Sequence, residues 1–199
     1  MENIKMHMMS LHEVFDLEGK TFELSDRDEA KTRFELLDQI RLKINAYNNH
    51  IRQYAYKQAV QALMDRGIIF EPVERDSVAN KWDACFDSLV SEEAKLSARH
   101  YSDQFRWHLF SFELLTAVKE DEARKVFDEM KKDAFYLFFE YSEEAYLVKN
   151  AHLLTAGDAE ALCEHAFDKS DIYFFSPVDK WTFVRTHEKN IGPYFFKVD

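Results

Sequence analysis

Glycine, proline and cysteine are all scarce in this sequence of 199 residues, which contains 4 Gly, 3 Pro and 2 Cys. Four scattered glycines cannot form a phosphate-binding loop, and neither a G-x-S-x-G nor an H-E-x-x-H sequence is present. Cys85 and Cys163 are far apart and make no Cys-x-x-Cys pair, so the spacings of common zinc sites are absent as well. We therefore expect no metal and no other cofactor.

Long apolar runs are missing too, and their absence bears on the location of the protein. No stretch approaches the ~18 uninterrupted apolar residues of a membrane-spanning helix. The N-terminal MENIKMHMMSLHEVF lacks the basic segment followed by an apolar run that marks a signal peptide. Two isolated cysteines fit a reducing compartment. The sequence therefore predicts a cytoplasmic protein that has no membrane partner.

Negative charge dominates what is present, because 37 Asp and Glu stand against 26 Lys and Arg, for a net charge of −11. A field of that sign repels phosphate backbones, so we expect no nucleic acid partner. The field would attract a basic protein, although the acidity common among cytosolic proteins also accounts for it. A hydrophobic content of 46% and 18 Phe exclude a disordered chain and predict a real core.

A long helix over residues 26–66 is the clearest element in the sequence. Ser25 is a suitable N-cap, acidic residues follow it, and neither Gly nor Pro occurs before Gly67. Apolar side chains recur within the helix at steps of three and four, which is the a/d pattern of a coiled-coil seam. The seam consists of Leu37, Ile40, Ile44, Tyr47, Ile51 and Tyr54. Its partner is either another helix of the same chain or the same helix of a second copy, which would make a homodimer.

The remainder of the chain alternates between helical and strand patterns. Helices are predicted near 74–96, 120–132 and 155–167, whereas residues 105–115 fit either a strand or a helix. Strands are predicted at 134–140, 144–150, 171–177, 181–188 and 193–198. Residues 1–24 fit a short hairpin or an arm, and residues 68–72 fit an apolar connector.

This order predicts an α+β fold, in which an N-terminal long helix and helical layer precede a mostly antiparallel or mixed sheet of about five strands with two further helices. We divide the chain into an extension of residues 1–72 and an α+β domain of residues 73–199. The strands containing FYLFF and IYFF are apolar on both faces, so both faces need a cover. The helices at 120–132 and 155–167 are expected on one face, and the N-terminal helices on the other.

The stretch WTFVRTHEKNIGPYFF, residues 181–196, contains the main candidate site residues and ends in a predicted hairpin with its turn at 190–193. Side chains alternate between the faces of a strand, so Arg185 and His187 are expected on one face and Glu188 on the other. Two such groups beside aromatic rings could bind an anion or a carboxylate. The full candidate set is Arg185, His187, Trp181, Tyr194, Trp107 and His108.

The alternative interpretation of the same residues is structural. Arg185 would then pair with an acidic helix residue, and His187 would be hydrogen-bonded at the end of the sheet. Catalysis by this set has no visible nucleophile or metal companion in the sequence.

Several segments resemble a small bacterial family that is one of the domains of unknown function. These segments are RWHLFSFELL, EARKVFDEM, FYLFF, DIYFF and, most specifically, W-T-F-V-x-T-H-E followed by G-P-Y-F. The resemblance covers about residues 82–199. It implies a bacterial or phage origin and a compact C-terminal domain, and it brings no activity and no catalytic residues.

Two kinds of function remain open from the sequence. The first is a non-enzymatic protein–protein interaction module, such as an inhibitor or immunity-type protein that masks a basic site on its partner. The second is a small-ligand-binding protein or a hydrolase-like enzyme that uses Arg185 and His187 at the edge of the sheet.

Overall fold

The long helix α1 spans Arg27–Asp65 in a computed structural model that describes residues 27–98, 105–165, 171–188 and 190–198. Its 39 residues confirm the predicted helix. The helix ends before Gly67, which has a φ of 96° and donates its N–H to the Met64 carbonyl at 2.9 Å. This left-handed conformation favours glycine at a helix end. The predictions for residues 1–24 and for the Ser25 cap fall outside the described residues.

Strands and shorter helices follow α1 and form one antiparallel sheet with helical covers, so the chain is α+β as predicted. The strands are β1 (Ile69–Pro72), β2 (Val118–Lys119), β3 (Ala134–Phe139), β4 (Ala145–Lys149), β5 (Ile172–Ser176), β6 (Trp181–Arg185) and β7 (Tyr194–Lys197). The helices are α2 (Arg75–Cys85), α3 (Glu92–Ser97), α4 (His108–Ser111), α5 (Glu120–Glu129) and α6 (Ala156–His165). None of the described helices is both long and apolar enough to cross a membrane.

Within the described residues the sheet has seven strands in the order β1-β4-β3-β5-β6-β7-β2, rather than the predicted five or so. The two strands that the sequence analysis missed lie at its edges. β1 contains Pro72, which suggested a connector, but a proline is tolerated where a strand has a neighbour on one side only. β2 is only two residues long, which is too short for an alternating pattern. The predicted helix at 74–96 is divided into α2, a 3-10 turn and α3.

Both faces of the sheet are covered, as predicted. On one face α5 and α6 pack against the strands through a core that includes Ala123, Phe127, Phe135, Ala159, Leu162, Phe174 and Phe183. On the other face α2 and the region around α4 pack through Val78, Trp82, Trp107, Leu109, Phe110, Phe138, Tyr173 and Val184. Residues 105–115 thus contain a short helix that supplies a cover, and no strand.

The C-terminal part of α1 belongs to the same face as α5 and α6, since Tyr56 and Leu63 are members of that core. The expectation that the N-terminal helices cover the opposite face holds for α2 and is wrong for this part of α1. Contacts within the chain divide it into two units, Met1–Ala55 and Tyr56–Asp199. The sheet domain therefore includes β1 and the last turns of α1, which the sequence analysis assigned to the extension.

The last two strands form the predicted closing hairpin. Val184 pairs with Tyr194, and Trp181 pairs with Lys197. In the connection Gly192 has a φ of 82°, and a Cβ at this position would lie 3.1 Å from the Tyr194 ring. Glycine is therefore the residue that this turn accommodates. The hairpin therefore determines the point, after Arg185, at which the chain leaves the sheet.

Candidate functional site

The buried carboxylate of Asp171 holds His187 at one end of the sheet. Asp171 precedes β5 and His187 follows β6, and the pairing of Ile172 with Arg185 brings the two together. Asp171 Oδ1 accepts a hydrogen bond from the His187 backbone N–H at 2.7 Å and lies 2.9 Å from His187 Nδ1. The Asp171 side chain is fully buried, whereas the His187 side chain is 20% exposed. The pair therefore reaches from the interior to the surface.

Trp107 joins this pair to the helical cover of the domain. Its indole Nε1 donates to Asp171 Oδ2 at 3.0 Å. The ring centroid of Trp107 lies 4.3 Å from that of His108 and 6.4 Å from those of His187 and Tyr194. The structure thus brings together four of the six predicted site residues, namely Trp107, His108, His187 and Tyr194.

Arg185 and Trp181, the other two predicted residues, lie on the opposite face. Trp181 packs against Phe127, and Arg185 Nε lies 4.0 Å from Glu160 Oε1 of α6. The alternation that placed Arg185 and His187 on one face stops at Arg185, because β6 ends there. Arg185 and His187 therefore do not share a face. Glu160 is an acidic helix residue beside Arg185, as the structural interpretation expects. The binding role of the six residues stays a prediction.

A second set of buried polar side chains adjoins the first. Glu140 follows β3, is buried, and accepts hydrogen bonds from Arg106 Nη1 and from the Tyr173 hydroxyl, each at 2.5 Å. Arg106 also donates Nε and Nη2 to the two carboxylate oxygens of Asp83, at 2.7 and 3.0 Å. The Trp107 backbone N–H donates to the Tyr173 hydroxyl at 3.3 Å, so the two sets are continuous. We call the connected residues Asp83, Arg106, Glu140, Tyr173, Trp107, Asp171 and His187 the polar chain.

Sequence reasoning missed several members of the polar chain, and a signal for two of them was present. Glu140 and Asp171 are charged residues that directly flank the apolar strands AFYLFF and IYFFS. The antiparallel pairing of β3 with β5 places these strand ends together, and the Glu140 N–H donates to the Asp171 carbonyl at 2.9 Å. Charged residues at the ends of neighbouring buried strands are thus candidates for a shared polar cluster.

Burial sets the protonation of the polar chain. It raises the pKa of the Asp171 carboxyl, and hydrogen bonds from the His187 backbone and ring oppose that shift. Burial also raises the pKa of Tyr173 well above its ordinary value, and the nearby charge of Glu140 raises it further. Tyr173 is therefore a protonated donor at neutral pH. On the other face burial raises the pKa of Cys163 to about 12, which makes this thiol a poor nucleophile.

The chemistry that the cluster offers through its own side chains is proton exchange at His187. A carboxylate that binds one ring nitrogen of a histidine fixes the orientation of the ring and favours a basic second nitrogen. That arrangement serves general acid–base catalysis when a substrate reaches the second nitrogen. Among the residues that the structure describes, no group of three or more His, Cys, Asp or Glu is placed to hold a metal ion.

The seam of α1, the second predicted set, presents several apolar side chains to solvent. Leu37, Tyr47 and Tyr54 are 43%, 40% and 54% exposed. Ile44 is only 8% exposed, so this position of the seam is already covered. Leu36 precedes Tyr47 and Tyr54 by about three and five turns of helix, so it falls on the same side as these two residues. The seam is thus open at Leu37, Tyr47 and Tyr54 and covered at Ile44.

The fold defines an α+β protein with one antiparallel sheet covered on both faces and a long N-terminal helix. The family model of a domain of unknown function, DUF4275, matches residues 69–195, and the chain belongs to this family. The matched part starts at β1, earlier than residue 82 where the resemblance began, and it leaves α1 outside. Neither a curated protein nor a solved structure matches the chain significantly.

Proposed function

We propose that this chain is a protein–protein interaction module whose partner-binding element is the α1 segment of residues 27–55. The observation that carries the proposal is that four large apolar side chains on one side of this segment are at least 40% exposed, namely Leu36, Leu37, Tyr47 and Tyr54. Single exposed apolar residues are normal on a protein surface. Four of them on one side of a helical segment are an accumulation of the kind that marks a contact with another protein.

Charge divides the chain in a way that bears on the partner. Residues 27–55 contain six Lys and Arg and four Asp and Glu, a net charge of +2. Residues 56–199 contain 18 Lys and Arg and 27 Asp and Glu, a net charge of −9. An inhibitor or immunity-type contact with a basic protein would therefore draw on the charge of the sheet domain, and its association rate would fall as salt is added.

Replacing the exposed seam residues by lysine tests the role of α1. We expect Leu37→Lys/Tyr47→Lys/Tyr54→Lys to weaken the contact by about a hundredfold or more, because three buried apolar contacts would be lost. The melting temperature should change little, since all three side chains are exposed in the single chain. Cross-linking in the source cells, followed by mass spectrometric mapping of the cross-links in residues 27–55, measures the loss.

Leu42→Lys is the matched control for this experiment. Leu42 is 63% exposed and points away from the side of the helix that carries Tyr47 and Tyr54. The control should keep the cross-links of the unmodified chain. If residues 27–55 are cross-linked to nothing, or equally well in the triple variant, the proposal is wrong.

A second candidate function, a small-ligand-binding protein or hydrolase-like enzyme, is supported by the Asp171–His187 pair. The specific observation is a fully buried carboxylate 2.9 Å from the ring nitrogen of a histidine that remains 20% exposed. This second candidate function relies on His187 and not on Arg185, because Arg185 lies beside Glu160 on the opposite face. Substrate would meet His187 beside the Phe105 ring, whose centroid is 5.0 Å from the imidazole.

Hydrolysis of chromogenic substrates tests the second candidate. We expect His187→Gln to lower the rate on p-nitrophenyl acetate or p-nitrophenyl phosphate by at least about a hundredfold, the usual contribution of a general acid or base. His152→Gln, at an exposed histidine, is the control and should keep the full rate. If the unmodified protein and His187→Gln hydrolyse both substrates at equal rates, His187 does not catalyse the hydrolysis of either the ester or the phosphate.

A further inference from the structure

We propose that the end of the sheet at His187 binds an arginine side chain of a basic protein against a group of aromatic rings. This site goes beyond the proposed function, because it lies in the sheet domain and not in residues 27–55. It uses the same end of the sheet as the second candidate function, but it requires binding alone and no reaction.

Phe105 lies at the centre of the aromatic group. Its ring centroid is 5.0 Å from that of His187, 5.5 Å from that of His108, 5.6 Å from that of Tyr141 and 5.8 Å from that of Trp107. The Phe105 and Tyr141 rings meet nearly edge to face, at 74°, and the Phe105 and His187 rings are inclined at 49°. We call Phe105, Tyr141 and His187 the aromatic corner.

Exposed aromatic side chains of the sheet domain are concentrated at this end. Tyr141 is 64% exposed, and Phe112, whose ring centroid is 4.7 Å from that of His108, is 41% exposed. Among the described residues from 56 onwards, no other Phe, Tyr or Trp is as exposed as these two. Exposed apolar rings that share one place on a surface indicate a contact with another molecule.

Negative charges lie beside the aromatic corner. Asp171 is fully buried against the His187 ring, and Glu188, the next residue, is exposed. Burial raises the pKa of Tyr194, and the negative charge of Glu188 raises it further, so this carboxylate acts on the same cluster of rings. Two carboxylates therefore face a ligand at this end of the sheet.

Arg106, the residue after Phe105, does not reverse this balance. Its guanidinium donates to the two carboxylate oxygens of Asp83 at 2.7 and 3.0 Å and to Glu140 at 2.5 Å. One cation with two carboxylates leaves a single net negative charge. A field of this sign attracts a cation and repels a phosphate or a carboxylate ligand.

The same face of the sheet already holds cations against aromatic rings. The guanidinium carbons of Arg75 and Arg106 lie 5.9 and 5.7 Å from the centroid of the Phe138 ring. Lys81 Nζ lies 4.8 Å from the centroid of the Tyr136 ring. The negative face of an aromatic ring attracts a cation, and a planar guanidinium stacks on it. An arginine side chain therefore suits the aromatic corner.

An arginine presented by a protein fits this surface better than a free cation does. The corner is open, since Tyr141 is 64% exposed, so a small ion would remain largely in water. A protein adds contacts around its arginine, and a basic one complements the net charge of −9 of residues 56–199.

A peptide titration of the isotope-labelled full-length protein, followed by NMR, tests the proposal. The probe is acetyl-Gly-Gly-Arg-Gly-Gly-amide, and its neutral counterpart contains citrulline, which has the shape of arginine without the charge. We expect a dissociation constant on the order of 1 mM for the arginine peptide at low salt and about tenfold weaker binding of the citrulline peptide. The largest shifts should occur at Phe105, Tyr141 and Glu188, and added salt should weaken the binding of the arginine peptide.

Variants of exposed side chains place the contact without disturbing the fold. Tyr141→Ala should weaken the binding of the arginine peptide by about fivefold, whereas Tyr141→Phe, which keeps the ring, should bind it normally. Tyr54→Ala removes a tyrosine that is 54% exposed on α1 and is the matched control, with no expected effect. Glu188→Gln should weaken binding by about threefold. Glu122→Gln, at an exposed position of α5, should not.

Equal affinities for the arginine and citrulline peptides would overturn the cation site. The same holds if the arginine peptide causes no shifts at the aromatic corner up to about 20 mM. Shifts spread over many acidic residues and unchanged in Tyr141→Ala would show general charge attraction, and they would also overturn the site. The proposed function of α1 survives each of these results, because its cross-links are measured in residues 27–55.

Discussion

Replacing Glu140 by alanine is expected to lower the free energy of unfolding by about 3–5 kcal/mol, the usual cost of removing one partner from a buried ion pair. The Glu140 carboxylate accepts hydrogen bonds from Arg106 and from the Tyr173 hydroxyl at 2.5 Å each. Its loss leaves a buried hydroxyl without its acceptor and a half-buried guanidinium with Asp83 as its remaining carboxylate partner. Urea unfolding followed by circular dichroism measures the change.

Two further variants distinguish the loss of hydrogen bonds in the polar chain from a general effect of removing a glutamate. Glu143→Ala, three residues on and exposed, should change stability by no more than about 0.5 kcal/mol. Glu140→Gln should fall between the two, because the amide oxygen still accepts from Tyr173 while the charge that faces Arg106 is lost. Equal stabilities of Glu140→Ala and Glu143→Ala would contradict the burial and the hydrogen bonds described for Glu140.

Replacing Phe127 by alanine is expected to cost about 3–5 kcal/mol of unfolding free energy, because it opens a cavity between α5 and the sheet. Phe127 is fully buried, and its ring lies 4.4 Å from that of Phe183 and 6.0 Å from those of Phe174 and Trp181. A cavity among these aromatic rings cannot close by a small shift, since the paired strands β5 and β6 hold them. Thermal and urea unfolding both report the loss.

Phe34→Ala provides the same substitution at a side chain that is 70% exposed. It should leave the unfolding free energy within about 0.5 kcal/mol of the unmodified protein, because little area is lost from contact. Phe127→Leu should cost less than Phe127→Ala, since the remaining cavity is smaller. A Phe127→Ala variant as stable as Phe34→Ala would mean that α5 does not cover the sheet as described.

Alternation in the sequence predicts the centre of this sheet well and its edges poorly. The Phe- and Tyr-rich runs that predict strands at 134–140 and 171–177 form β3 and β5, with both faces buried. β1 and β2 have four and two residues. β2 carries too few side chains for a recognisable pattern, whereas β1 is as long as the predicted β7 but contains Pro72, which indicates a connector.

The candidate site was visible from the sequence only in part. The sequence predicts His187 and Tyr194 from one motif and Trp107 from another element, and the structure places all three in one cluster. Asp171 was not selected, because its proximity to His187 depends on the register between β5 and β6. The expected proximity of Arg185 to His187 failed for a related reason, since alternation applies only as long as the strand continues.

The outermost strands restrict the kinds of ligand that this fold can accept. β1 ends in Pro72, whose nitrogen has no hydrogen to donate, and its Glu71 is 2.6 Å from Lys149 of β4. β2, at the opposite edge, presents only two residues of backbone. Short, charged or proline-containing edges discourage polymerisation of sheets. They also disfavour β-augmentation, in which an extended peptide adds itself as a further strand, because the free backbone at these edges is short or lacks a donor.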